Sequence, residues 1–68
     1  MTKPSVKTVK SWTVLFKSDL VQVDSSDDDW FYRVRVTGQR VKYFYGESAW
    51  SDARRLASDV DFAAWSIA

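Results

Sequence analysis

WFYRVRVTGQRVKYFYG, residues 30–46, reads as a β-hairpin whose two faces differ in chemistry. Successive strand residues point to opposite sides of a sheet. Trp30, Tyr32, Val34 and Val36 therefore share one face, and Phe31, Arg33, Arg35 and Thr37 share the other. A two-residue turn at Gly38-Gln39, of the type that needs Gly first, would pair Val36 with Val41, Val34 with Tyr43 and Tyr32 with Tyr45. Apolar residues then meet apolar residues throughout. The opposite side carries Phe31, Arg33, Arg35, Arg40, Lys42 and Phe44, four cations and two aromatics on one sheet surface.

Downstream of the hairpin, Gly46 ends the sheet and Ser48 is a good helix N-cap. Apolar residues then recur at helical spacing: Ala49, Trp50, Ala53, Leu56, Ala57, Val60, Ala64 and Ile67. Leu56 and Val60 define the expected buried stripe. On a continuous helix Phe62 and Trp65 project to the opposite side, beside Arg54. Either the helix breaks near Asp59–Asp61 and buries both rings, the favoured reading, or Arg54, Phe62 and Trp65 form a second interface.

Upstream, SWTVLFK (residues 11–17) reads as a first strand. Ser18-Asp19 interrupts its alternation, and Val21 and Val23 resume with shifted parity, as a bulge or sharp bend would produce. DSSDDD (residues 24–29) reads as a solvated loop, since short polar side chains favour turns. Residues 1–10, with Lys3, Lys7, Lys10 and the only Pro, read as a mobile basic tail. The expected architecture is α+β, a three-stranded antiparallel meander followed by one C-terminal helix packed on one face (β-β-β-α), over residues 11–68.

Composition narrows the function. Sixty-eight residues allow one small domain, and small cores often need support from metals, disulfides or self-association. Cys and His are both absent, which removes disulfides, thiolate nucleophiles, imidazole bases and the usual zinc sites. Four Trp, three Tyr and four Phe supply the bulk instead. The net charge of +1 favours no partner. No apolar run is long enough to span a membrane, so a cytoplasmic protein is expected.

The acidic run invites a calcium reading, which requires a Gly at the sharp turn and a closing acid. Residues 24–35 contain no Gly, and Arg35 stands where the closing Glu belongs. No metal, cofactor or enzymatic activity is expected. The basic-aromatic sheet face is the strongest functional signal: Arg and Lys neutralise phosphates, and Phe offers a stacking platform. The competing explanation is an ordinary solvated sheet surface, which two exposed Phe would disfavour.

The order of strands then helix, with WFYRVRVTGQRVKYFYG leading into SAWSDARRLA, resembles the AP2-type and integrase arm-type DNA-binding domains. The resemblance covers about half of the chain and rests on the alternation, the hairpin Gly and the DA-x-x-LA stretch. It implies a sheet lying in the major groove with Arg on its outer face making the contacts. Nucleic acid is thus the first expected partner. A protein-docking module or inhibitor, including a phage or mobile-element regulator, is the alternative, and a homodimer would support the small core.

Overall fold

The computed structural model describes residues 9–67. Most of the expected N-terminal tail, residues 1–8, lies outside them. Four strands, β1 (Trp12–Lys17), β2 (Val21–Ser26), β3 (Phe31–Val36) and β4 (Lys42–Tyr45), form one antiparallel sheet in the order β1-β2-β3-β4. Helix α1 (Ala49–Val60) and a short 3₁₀ helix (Phe62–Ser66) follow. The fold is α+β as expected, with four strands in place of three.

The extra strand comes from Ser18. Its amide donates to the Val21 carbonyl at 2.9 Å, and its hydroxyl accepts from the amides of Leu20 and Val21. A side-chain oxygen that serves backbone amides stabilises a reversal, so the parity shift marks a full hairpin rather than a bend. A register irregularity is also present, between Val14 and Phe16. It brings both Leu15 and Phe16 against the core.

The acidic stretch divides in two. Asp24, Ser25 and Ser26 belong to β2 and are buried, which corrects the reading of residues 24–29 as one solvated loop. Only the following aspartates form the turn into β3. Asp29 adopts φ 59°, a region that Asp tolerates better than most residues, and its amide donates to the Ser26 carbonyl. The Ser26 hydroxyl donates to the Asp28 carboxylate and accepts from the Phe31 amide, while Asp28 accepts from the Trp30 amide.

These bonds hold the Asp28 carboxyl below the usual carboxylate value, the Ser26 hydroxyl first and the Trp30 amide second. A depressed folded pKa stabilises the fold fully above the unfolded value, near 3.9, and that contribution disappears as pH falls through the lower folded value. The melting temperature of Asp28→Asn is therefore expected to fall less steeply between about pH 5 and 2 than that of the parent. Equal slopes in a thermal denaturation series would show that this carboxylate is not coupled to the turn.

The β3–β4 hairpin differs from its expected register by one residue. Val34 faces Lys42, Arg33 faces Tyr43, and Tyr32 faces Phe44. The Gln39 amide donates to the Val36 carbonyl, so the turn centres on Thr37-Gly38, with Gly38 third at φ +82°. A type II turn needs a positive φ at that position, which favours Gly. The cause is non-local. The Thr37 amide donates to the Leu20 carbonyl and its hydroxyl to the Asp19 carbonyl, tying Thr37 to the first hairpin. A one-residue slip moves every side chain of the strand to the other face.

Helix α1 lies on the sheet face formed by Val21, Val23 and Val34. Ala49, Ala53 and Ala57 are its innermost residues, spaced by one turn, and Leu56 and Val60 are only half-buried. Small residues along that line let the helix approach closely. The helix starts at Ala49, but the Ser48 side chain makes no cap bond; its carbonyl accepts from Asp52 instead. At Asp61 the backbone turns extended, and the Asp61 carboxylate accepts from the Ala63 amide to start the 3₁₀ helix. The chain does fold back there, but it buries Ala64 and Ile67 rather than the two rings. Phe62 remains 79% exposed and Trp65 44%.

Candidate interaction surface

The sheet face away from α1 is set by register. Paired residues share a face, so Trp12, Val14 and Lys17 of β1 join Gln22, Asp24 and Ser26 of β2, Phe31, Arg33 and Arg35 of β3, and Tyr43 and Tyr45 of β4. Of the six residues expected there, Phe31, Arg33 and Arg35 are present. Lys42 and Phe44 lie on the helix side, where they share a cleft with Asp52, Arg55, Leu56 and Asp59. Arg40 sits exposed in the loop before β4. The one-residue slip accounts for Lys42 and Phe44, and brings Tyr43 and Tyr45 to the surface in their place.

Asp24 is the centre of this face and is fully buried. Its carboxylate accepts from Arg33 Nε at 2.9 Å and from Gln22 Nε2 at 2.8 Å, and an Arg35 terminal nitrogen lies 3.4 Å away. The Arg33 guanidinium also lies over the Trp12 ring, 4.3 Å from its centroid. Trp12 in turn meets Tyr43 at 6.3 Å, and Phe31 meets Tyr45 at 6.1 Å. Arg33 is thereby fixed both in its plane and along its edge. Phe31 is buried, whereas Tyr43 and Tyr45 remain half-exposed.

This chemistry differs from the expected free cationic sheet. Two arginines converge on one carboxylate, so Asp24 cancels one of their two charges, and Arg33 is committed to an intramolecular bond. Asp24, Trp12, Tyr43 and Tyr45 were not singled out from sequence. One signal was available for Asp24: in VQVD, residues 21–24, it continues the Gln22 parity, opposite to Val21 and Val23.

The second expected patch is assembled in part. One Arg54 terminal nitrogen donates to the Trp65 carbonyl at 2.6 Å. Its guanidinium lies 4.6 Å from the Trp65 ring centroid and 6.0 Å from that of Trp50. Phe62 extends into solvent on the same 3₁₀ segment. Among the described residues no group of three or more acidic side chains converges on a metal-sized site, and no helix is long and apolar enough to cross a membrane.

Comparison with protein-family models, with curated proteins and with solved structures found no match.

Proposed function

We infer that this chain is a non-enzymatic binding module whose open sheet face docks on a partner protein with acidic side chains at its rim. The observation that supports this most is the locking of Arg33 between Asp24 and the Trp12 ring. Trp, Tyr and Arg are the residues enriched at the energetic centres of protein interfaces. Side chains already held in place lose little further entropy on binding. Lys17 and the half-exposed Arg35 leave the rim of the face positive.

Phosphate recognition draws less support from the same geometry. Duplex affinity rests largely on phosphates neutralised by Lys and Arg, while the face offers Lys17, Arg33 and Arg35 with Asp24 among them, and Lys42 points elsewhere. The turn aspartates Asp27, Asp28 and Asp29 adjoin one end.

The test compares wild type with Tyr43→Ser/Tyr45→Ser and with Phe62→Ser, all checked for folding. Expected is capture from source-cell lysate that survives nuclease and depends weakly on salt, and that the tyrosine pair abolishes while Phe62→Ser retains it. In parallel, labelled single-stranded and duplex DNA should show no binding at low salt. Steeply salt-dependent DNA binding that Arg35→Glu removes would replace this reading with the nucleic-acid one. Loss of capture with Phe62→Ser alone would move the interface to the C-terminal patch.

A further inference from the structure

A cleft of about 290 Å³ opens on the other side of the sheet, between its edge and the start of α1. Its walls are Leu15, Ser25, Asp29, Tyr32 and Trp50. The Tyr32 and Trp50 rings that line it meet at 45° with centroids 5.8 Å apart. Asp29 supplies a carboxylate, and among the described residues no cation pairs with it. Its charge is felt within the cleft: the Tyr32 hydroxyl is pushed above its usual value, first by burial and second by Asp29. Asp27 and Asp28 occupy the same turn and add to the negative field.

Two angled aromatic rings beside an acid have the chemistry that attracts an organic cation. Ring faces carry partial negative charge and attract a cation within about 6 Å, and such cages favour alkylated ammonium groups, which shed water easily. An anion is disfavoured by Asp29. The cleft is at the small end of ligand-site volumes, which suits one side-chain head and not a cofactor. We propose that the Tyr32–Trp50–Asp29 cleft binds an alkylammonium group, such as a lysine or methylated lysine side chain. Arg54, whose guanidinium also lies near Trp50, is held by the Trp65 carbonyl and is not one of the cleft walls. The proposal does not depend on the open sheet face, because the cleft lies on the opposite side of the sheet.

The experiment is a titration of the folded chain with tetramethylammonium chloride, followed by NMR at the Trp50 indole and the Asp29 and Tyr32 amides. Neopentyl alcohol serves as the neutral isostere, and ionic strength is held constant with sodium chloride. Saturable shifts confined to the cleft are expected, with the isostere at least about tenfold weaker. Asp29→Asn should weaken the cation by about tenfold while keeping the melting temperature, since Asn also tolerates the positive φ at that position. Free choline and a trimethyllysine-containing peptide then separate the sources: tighter binding of the peptide assigns the group to a protein partner, equal binding to a small free cation. Absence of saturable shifts, equal binding of the isostere, or no effect of Asp29→Asn would each overturn the proposal.

Discussion

Asp24→Ala is expected to destabilise the fold by about 3 kcal/mol, the lower end of the range for removing one partner of a buried ion pair. The lower end applies because the Arg33 side chain is one-fifth exposed and can recruit some water. The substitution leaves the Gln22 amide and Arg33 Nε, whose guanidinium lies against the Trp12 ring, without their acceptor. For a domain of this size the loss corresponds to a fall in melting temperature of roughly 12–24 °C. A double replacement, Asp24→Leu with Arg33→Met, should recover much of it. Well-packed apolar residues often match or exceed a buried pair in stability, because the desolvation cost disappears with the charges. If the double variant is as unstable as the single one, packing around Asp24 rather than its charge supports the sheet. If Asp24→Ala melts with the parent, the carboxylate is not the centre of the open face.

Ala53→Leu is expected to cost about 2–3 kcal/mol, at the upper end for overpacking a well-filled core. Ala53 is fully buried near the middle of α1, in one core cluster with Val23 and Val34. Both residues are good helix formers, so propensity contributes little and the loss reports crowding. The helix must lift away from the sheet or the new side chain must take a strained rotamer. Arg55→Leu, on the exposed side of the same helix, should change stability by less than about 0.5 kcal/mol. Denaturant unfolding of the three proteins measures the difference. Similar midpoints for Ala53→Leu and Arg55→Leu would mean that α1 does not pack through its alanines.

The alanine line also explains why sequence reading placed the helix well but ranked its residues incorrectly. The apolar period that begins at Ala49 places the start of the element, while the helix stops at Val60, short of Ala64 and Ile67. Residue size suggests that Leu56 and Val60 are the deepest. In the structure the small side chains go deepest, because helix-to-sheet distance is set at the point of closest approach. The larger residues flank that line and stay half-buried.

The sequence by itself determined the class of the fold, the faces of β3 and the start of α1. Those features depend on short-range patterns: alternation in YRVRV, Gly at the ends of turns, and a helical apolar period. The β3–β4 register and the chemistry of the open face were decided only by tertiary structure. The pattern of residues 41–45, VKYFY, favours burying Val41, Tyr43 and Tyr45, yet the structure turns Lys42 and Phe44 to the helix side. What overrides the pattern is Thr37, whose amide and hydroxyl are taken by carbonyls of Leu20 and Asp19 from a distant turn. Asp24 follows the same logic. Its burial is tolerable only because Arg33, nine residues later, is brought opposite it by pairing of β2 with β3.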